Sequence, residues 1–288
     1  MTDTIDNEFS IKGKKIYIFP LSDLHLGTDA CNFEYFKYWE KIFNNTASEN
    51  KIIYLMGDLI DLPSKKIGPY DVSDTAEMSI KTIKNLLKPY KEYVRGMVPG
   101  NHELRAKNEF NLDISDIIAD DLGVPYSPYD IKDSLYVNGK EFNIFARHGW
   151  NYGKKAISVM STFINDMQDN RFDTDLCMVG HNHLCDFRSK YYVTHNNQYR
   201  RKYFAFTGHF LDPFSSYARN TTKPLAPESF LRLELDKNCR LGCNMYNIDE
   251  QCPDLVDPKH KLLYHEKEWW IKSSIGLSFL VTSSREKH

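Results

Sequence analysis

Five short polar clusters in the sequence combine residue types that bind metal ions and transfer protons. They are Asp23 and His25 in "DLHLG", Asp58 and Asp61 in "GDLID", Asn101, His102 and Glu103 in "GNHE", His148 in "RHGW", and His181 and His183 in "GHNH". Carboxylate, imidazole and amide oxygen form a ligand set without thiolate, which suits manganese, iron, zinc or nickel better than calcium or a structural zinc. The clusters therefore predict a metal site.

Single members of these clusters also have simpler interpretations. His181 and His183 are two residues apart, so on an extended chain they share a face, but two histidines on a surface turn would look the same. Asp61 could cap a helix, and Glu103 could lie in the first turn of a helix and interact with its dipole. Because five of the ten histidines fall in the clusters, we interpret the set together as one site.

The clusters follow segments that the pattern predicts to be strands. These segments are Lys15 to Leu21, "KIIYLM" from residue 51, a run around Tyr93 to Val98, and Leu176 to Val179. In an open α/β sheet the carboxyl ends of the strands converge on one crevice, so we expect the clusters to meet there. Gly57, Gly100, Gly149 and Gly180 adjoin candidate ligands, and glycine allows tight turns between a strand and a loop.

Helices and hairpins complete the predicted fold. Helical spacing of Phe33, Phe36, Trp39 and Phe43 predicts one helix; a second begins at Asp74, with Glu77 in the capping arrangement, and stops or kinks at Pro89; a third covers about residues 155 to 167. Asn138-Gly139 predicts a two-residue hairpin turn, and two further hairpins follow in the second half. Early strand and helix alternation followed by hairpins predicts a mixed sheet system flanked by helices.

Composition bounds the remaining possibilities. A hydrophobic content of 41% with 26% charged residues indicates an ordered globular protein, and the net charge of −2 gives no overall attraction to nucleic acid or to an anionic membrane. The sequence has no apolar run of membrane-spanning length, no signal-peptide pattern and no CxxC pair among its six cysteines. We therefore expect a cytoplasmic protein without a membrane partner, with one catalytic domain over residues 1–250 and a C-terminal extension over residues 251–288.

The order of the motifs, DxH, GDxxD, GNHE, H and GHxH, resembles the calcineurin-like metallophosphoesterase family. All five blocks occur in order over about residues 15 to 210. The resemblance implies an α/β fold with a two-layer mixed β-sandwich flanked by helices. It also implies a metal-dependent phosphoesterase with two divalent metal ions at the strand ends, manganese in the first place and iron, zinc or nickel as alternatives.

The same resemblance implies a role for each residue of the clusters. Asp23, His25, Asp58 and His183 would hold the first metal ion, and Asp58 would bridge to a second ion that Asn101, His148 and His181 complete. His102 would be catalytic and protonate the leaving-group oxygen, and Asp61 would support it by orienting an imidazole. Two carboxylates against two divalent ions leave positive charge to attract a phosphoryl oxygen.

The residues in and around the motifs bear on the class of substrate. Their sequence is similar to the DNA-repair exonuclease and phosphodiesterase branch, it lacks the longer blocks of protein phosphatases, and it has His102 where the lipid-A pyrophosphatase branch has arginine. We predict a phosphodiesterase or nuclease acting on nucleic acid or nucleotides. A small-molecule phosphomonoesterase is the alternative, and a non-catalytic metal-bound scaffold is disfavoured because His102 and every proposed ligand are present.

Five residues are candidate substrate contacts. Arg105 and Arg147 adjoin ligand-bearing turns, His209 lies in "TGHF", and Arg200 and Arg201 belong to a segment, residues 188 to 202, in which basic residues alternate with tyrosines. Such a segment could follow a DNA or RNA backbone and stack on bases. An exposed hairpin with solvated cations would have the same sequence.

Overall fold

The computed structural model describes residues 4–5, 15–46, 50–62, 74–149, 156–168, 174–193, 197, 199–212, 215 and 227–247. The predicted extension, residues 251–288, lies outside them. The strands are β1 (Thr4–Ile5), β2 (Lys15–Leu21), β3 (Lys51–Met56), β4 (Val94–Val98), β5 (Ile131–Val137), β6 (Lys140–Arg147), β7 (Leu176–Val179), β8 (Cys185–Val193), β9 (Tyr199–His209), β10 (Ser229–Asp236) and β11 (Leu241–Asn247). The helices are α1 (Phe33–Asn45), α2 (Ala76–Leu87), α3 (Leu104–Phe110), α4 (Ile114–Leu122) and α5 (Ala156–Gln168).

The strands form two halves that meet along a short seam. In spatial order they run β1-β5-β6-β7-β9-β10-β2-β3-β4, with β8 beside β9 and β11 beside β10. Strands β2, β3 and β4 are parallel, as are β6, β7 and β9. Between β9 and β10 only two residue pairs match, Ser229 with His209 and Phe230 with Gly208. The parallel strands of each half thus end at a common edge.

Three hydrophobic clusters define the layers. The central one joins side chains of both halves, including Ile18 and Tyr54 from one half and Ile144 and Met178 from the other. A second cluster packs α1, α2 and α4 on the outer face of β2 and β3, and a third packs α5 on β6, β7 and β9. The predicted two-layer β-sandwich flanked by helices is confirmed.

Local signals place the helix ends and turns within a residue or two. Helix α1 buries Phe36, Trp39 and Phe43 as predicted, but Phe33 is 36% exposed because it lies in the first turn, beside the N-cap. Helix α2 is capped by Thr75, whose side chain accepts the N–H of Met78, so the cap lies one residue after the predicted Asp74. None of the described helices is long and apolar enough to cross a membrane.

A predicted hairpin turn and a predicted helix end are confirmed. Asn138 and Gly139 have φ values of 51° and 73°, which is the pair of positive angles that a type I′ hairpin turn requires. Helix α2 ends at Leu87, and a 3₁₀ turn over Lys88–Tyr93 follows with Pro89 near its start. Proline cannot donate the backbone hydrogen bond that a continuing α-helix would need.

A buried polar contact joins the two halves away from the seam. The hydroxyl of Tyr54 on β3 donates to Asp133 on β5 at 2.6 Å, and Nε of Arg95 on β4 donates to the same carboxylate oxygen at 2.9 Å. The side chain of Asp133 is fully buried. Its charge is therefore stabilised chiefly by these two donors from the opposite half.

We expect Arg95→Leu to lower the free energy of unfolding by about 3 kcal/mol, because it leaves the Asp133 carboxylate buried without its cation. Chemical denaturation measures the loss. The double variant Arg95→Leu/Asp133→Leu should recover most of it, since no charge remains to be compensated. A single variant as stable as the parent protein would contradict this account of the contact.

Candidate metal centre

The predicted ligands converge where the parallel strands of both halves end. Two groups of three side chains bring their ligand atoms within 4.8 Å of one another: Asp23, His25 and His183 in one group, and Asp58, His148 and His181 in the other. Loops after β2, β3, β6 and β7 supply them. Asn101, after β4, joins the second group through its side-chain oxygen, 3.2 Å from His148 Nε2.

The distances between donor atoms agree with two adjoining sites. His183 Nε2 lies 3.3 Å from both Asp23 Oδ1 and His25 Nε2. In the second group, His148 Nε2 lies 3.1 Å from Asp58 Oδ2 and 3.3 Å from His181 Nδ1. Donors about 2.1 Å from one ion stand about 3 Å apart, so each group has the spacing of a coordination sphere.

Asp58 lies between the two groups. Its Oδ2 is 3.7 Å from His25 Nε2 and 3.1 Å from His148 Nε2, so one carboxylate oxygen faces an imidazole of each group. This is the position that the predicted bridging ligand requires. His181 and His183, separated by Asn182 in the loop after β7, belong to different groups, as the prediction that they face different ions requires.

Two carboxylate oxygens show that the pocket suits cations. Asp23 Oδ1 and Asp58 Oδ2 are buried and accept no hydrogen bond from the described residues. The other oxygen of each group is used: Asp23 Oδ2 accepts from Ser22 Oγ and the His181 N–H, and Asp58 Oδ1 accepts from the His102 N–H. Buried carboxylate oxygens rarely lack a partner, and bound divalent ions would supply one. The donor set fits two such ions.

Five of the ligands adopt a backbone conformation that is rare for their residue types. The φ values are 55° for Asp23, 49° for His25, 50° for Asp58, 66° for His181 and 54° for His183. Positive φ costs a residue with a Cβ about 1–2 kcal/mol. Such strain is found mainly at functional sites, where the surrounding structure enforces it.

Neighbouring loops hold this conformation in place. The N–H of Asp23 donates to Gly57 O at 3.1 Å, and the N–H of His25 donates to Asp58 O at 2.9 Å. Gly57 itself has a φ of 78°, and a side chain at Gly100 would collide with the Asp58 carboxylate. Of the glycines predicted to shape the loops, Gly57 does so through its backbone conformation and Gly100 through the close approach of Asp58.

Glu103 is a supporting residue whose role sequence reasoning missed. Its buried carboxylate accepts four backbone N–H groups, those of Asp58, Leu59, Ile60 and Gly100, at 2.7 to 3.1 Å. Glu103 is the N-cap residue of α3, near the position that the predicted alternative of a helix-dipole partner requires, although its side chain makes no capping hydrogen bond. Burial and the nearby Asp58 carboxylate raise the pKa of Glu103 to about 7. Its only sequence signal is its place in "GNHE".

Two imidazoles that would bind metal have an oxygen atom near the ring nitrogen that faces away from the predicted ion. His148 Nδ1 lies 2.8 Å from Met56 O, so it donates to that carbonyl and leaves Nε2 to face Asp58. His25 Nδ1 lies 3.4 Å from Asp61 Oδ2. Contacts of this kind fix the tautomer of a metal-binding histidine. Asp61 thus lies behind an imidazole, where the predicted supporting role would place it.

Negative charge dominates the cluster. Burial opposes protonation of His25 and His148, but the surrounding carboxylates outweigh it and raise the pKa of each to about 9: Asp23 and Asp61 do so for His25, and Asp58 and Asp23 for His148. Despite burial, the imidazoles hold the pKa values of Asp23 and Asp58 well below their usual range. In the protein alone, protons balance charge that divalent ions would balance when bound.

His102 also lies at the centre, with Asp61 behind it. Nδ1 of His102 is 2.6 Å from Asp61 Oδ1, and Nε2 is 3.9 Å from Asp58 Oδ2. Burial lowers the pKa of His102. Arg105 contacts both members of this pair, since its guanidinium donates to Asp61 at 2.6 Å and lies 3.0 Å from His102 Nε2. The structure therefore brings Arg105 to the metal centre.

The other predicted substrate contacts divide by distance. His209 is close, because its ring stacks on His183 at 5.1 Å between centroids and its Nδ1 accepts the Leu211 N–H. Arg147 ends β6, directly before His148. Arg201 and Arg200 lie eight and nine residues before His209 on β9, roughly 25–30 Å away at the rise of a strand. The structure does not bring those two arginines to the metal centre.

We expect Glu103→Gln to weaken metal binding by about 10–100-fold, the range typical of residues that support metal ligands. The amide would direct N–H groups at backbone N–H groups and release the loops that carry Asp58 and Asn101. Metal content after dialysis against graded chelator measures the effect. Glu109→Gln, on the exposed side of α3, is the matched control. Unchanged metal binding in Glu103→Gln would contradict this role.

Comparisons with known proteins identify the family. Residues 17–232 match the family model described as calcineurin-like phosphoesterase. A similar solved structure is wild-type Vps29 complexed with Zn²⁺ from Entamoeba histolytica, at 11% identity and a TM-score of 0.32, covering 81% of this chain and 99% of that one. The search of curated proteins found no match. The domain boundary predicted after residue 250 stays a prediction.

Proposed function

The chain belongs to the calcineurin-like phosphoesterase family, and from that premise we propose that it is a two-metal phosphodiesterase acting on nucleic acid or nucleotides. The observation that carries the proposal is the Asp61–His102 pair, whose outer nitrogen, His102 Nε2, lies 3.9 Å from the carboxylate between the two groups of metal ligands. Manganese is the proposed ion, because the donors are oxygen and imidazole.

Each part of the centre has a task in phosphoester hydrolysis. Two bound divalent ions would polarise the phosphoryl group and lower the pKa of an attacking water. Asp23, His25, Asp58 and His183 would hold one ion, and Asp58, Asn101, His148 and His181 the other. His102, oriented by Asp61, would give a proton to the leaving oxygen, and Arg105 would attract the negative charge of the phosphate.

The intact centre argues against a purely structural role. A scaffold that used the fold only for protein contacts would not need five predicted metal ligands in a strained backbone conformation. Nor would it need His102 held between Asp61 and Arg105. A small-molecule phosphomonoesterase would use the same centre, and substrate assays separate it from a phosphodiesterase.

The hairpin of β8 and β9 supports a polyanionic substrate. Pairing of Lys190 with Lys202 and of Tyr192 with Arg200 fixes the register, and side chains alternate between faces along a strand. One face therefore carries four basic residues, which we call the cation-rich face: Arg188, Lys190, Arg200 and Lys202. Lys202 is buried and its ammonium donates to Met167 O at 3.4 Å, so a substrate would meet the other three. A row of positive charge that begins on β8, five residues after His183, could follow a phosphate backbone.

The tyrosines do not share that face, with the exception of Tyr192. Tyr191 and Tyr203 lie on the opposite face, where Arg201 stacks between them at 5.4 and 5.2 Å and donates to Ser189 Oγ. The sequence reading of one surface with alternating cations and aromatic rings therefore needs revision. The cation-rich face supports contacts to phosphates and gives less support to base stacking. At this distance from the metal centre only an extended substrate would reach it.

Cysteine usage supports a cytoplasmic location as part of the proposal. The five described cysteines, Cys31, Cys177, Cys185, Cys239 and Cys243, are free thiols. Free thiols persist in reducing compartments, whereas secreted domains usually pair them.

The direct test is hydrolysis of bis-p-nitrophenyl phosphate, p-nitrophenyl phosphate and single-stranded DNA by metal-free protein reloaded with Mn²⁺. We expect the two diesters to be preferred. His102→Ala should keep its metal and lose about 100-fold or more in turnover of DNA, the range for general-acid catalysis. The loss should be smaller with the nitrophenyl esters, whose leaving group needs no proton. If no divalent ion restores hydrolysis of any substrate, the proposed function is wrong.

The second test separates polynucleotide from small substrates. Replacing Arg188, Lys190 and Arg200 together by glutamine removes three exposed or half-exposed cations. The salt slope of DNA binding should flatten by up to about two units, at about 0.7 per phosphate contact. Hydrolysis of bis-p-nitrophenyl phosphate should not change, because that ester is too small to reach the hairpin.

Arg201→Gln on the opposite face is the matched control and should leave the salt slope unchanged. Should the triple variant bind and cut DNA like the parent protein at every salt concentration, the cation-rich face would be only a solvated surface. A nucleotide or another small phosphoester would then be the better candidate substrate.

A further inference from the structure

A third group of possible metal ligands overlaps the predicted centre. His25, Asp58 and His102 also bring their ligand atoms within 4.8 Å of one another. The His102 ring meets the His25 ring edge to face, with 4.4 Å between centroids, and its Nε2 lies 3.9 Å from Asp58 Oδ2. An ion near His25 and Asp58 would therefore find His102 within reach. An Nε2 that bound metal could not also transfer a proton to the substrate.

Arg105 occupies the His102 nitrogen that such an ion would take. One terminal nitrogen of the guanidinium lies 3.0 Å from His102 Nε2. Arginine has no acceptor atom and stays protonated in proteins, so Arg105 is the donor and Nε2 the acceptor. The lone pair that would bind a metal ion is thus already used in a hydrogen bond.

Two further hydrogen bonds fix the guanidinium in this position. Its other terminal nitrogen donates to Asp61 Oδ1 at 2.6 Å and to the backbone oxygen of Leu62 at 2.9 Å. The same Asp61 oxygen lies 2.6 Å from His102 Nδ1. Asp61 therefore positions both the imidazole and the arginine that contacts it, so the three side chains form a closed ring of contacts.

The contrast with His148 shows what distinguishes a ligand from a reserved histidine. Both rings have an acceptor oxygen at Nδ1, Met56 O for His148 and Asp61 Oδ1 for His102. Nε2 of His148 faces acceptor oxygens of Asp58 and Asn101, an environment that favours a cation. Nε2 of His102 faces a positively charged guanidinium, which repels one.

We propose that Arg105 is a positioning residue that keeps His102 out of the metal coordination sphere and so reserves its Nε2 for the substrate. The inference rests on the two-metal centre of the proposed function. An anionic phosphoryl oxygen can attract the guanidinium away from Nε2, whereas a metal cation cannot. The freed Nε2 can then take a proton from solvent and give it to the leaving oxygen. Arg105 would thus separate the histidines that hold metal from the one that acts on substrate.

The test is a Co²⁺ titration of metal-free protein, followed by the visible absorption spectrum of the bound ion, which reports the number and type of its ligands. Four proteins are compared: the parent, Arg105→Met, His102→Ala and the double variant. In Arg105→Met we expect His102 to become an additional ligand. The spectrum should change, and the Co²⁺ affinity of one site should rise by about tenfold, the scale on which supporting residues affect metal sites. Both changes should vanish in the double variant, where the additional ligand is missing.

Arg240→Met is the matched control, because Arg240 is exposed in the turn between β10 and β11, at the opposite end of the strands. Thermal unfolding without metal checks the fold, and Arg105→Gln replaces Arg105→Met in the same comparison if the methionine variant does not fold. A variant with the parent's spectrum and affinity would overturn the inference. So would changes that persist without His102, since Arg105 would then act through Asp61 and His25. A parent protein that binds no Co²⁺ would overturn the proposed function and the inference with it.

Discussion

The Glu103 carboxylate joins the ends of two parallel strands, and the rest of the centre depends on that junction. Four backbone N–H groups from the loops after β3 and β4 point at one buried side chain. Because a buried N–H group must find an acceptor, the loops cannot separate without losing the three bonds from Asp58, Leu59 and Ile60. Asp58 and Asn101 therefore keep a fixed separation, with His102 just before α3 and Arg105 in its first turn placed relative to them.

Strain in the ligand loops is the counterpart of this rigidity. At about 1–2 kcal/mol for each residue with positive φ, five such residues store several kcal/mol that the rest of the fold must offset. Hydrogen bonds between the loops after β2 and β3 hold two of them in place. The gain is orientation: carboxylate and imidazole groups from four loops face one small volume before any ion or substrate arrives, so little reorganisation is needed on binding.

Much of the centre could be predicted because it follows from strand ends. Parallel strands deliver whatever follows them to one edge, so Asp23, Asp58 and His148 could be grouped before any coordinates were known. The Asn138-Gly139 turn was equally accessible, since its conformation is set by two adjacent residues. The roles of Glu103 and Arg105 were not accessible, because their partners are a loop some 45 residues away and a pair of side chains whose orientation depends on the whole centre. The hairpin of β8 and β9 was partly accessible. Side chains alternate between faces along a strand, so its cations could have been separated from most of its tyrosines if the register of the two strands had been known.

The short seam between β9 and β10 has a mechanical consequence. Asp23, His25, Asp58 and Asn101 belong to one half of the sandwich, and His148, His181 and His183 belong to the other, so each group of donors draws on both halves. At that edge the strands β9 and β10 share two residue pairs, and a few loop hydrogen bonds, such as that from the Phe210 N–H to Asp23 O, complete the backbone connection. Ions bound there, with donors from both halves, would add to those contacts and hold the halves together. The stability of the sandwich at this edge would then depend on how many of the two positions are occupied.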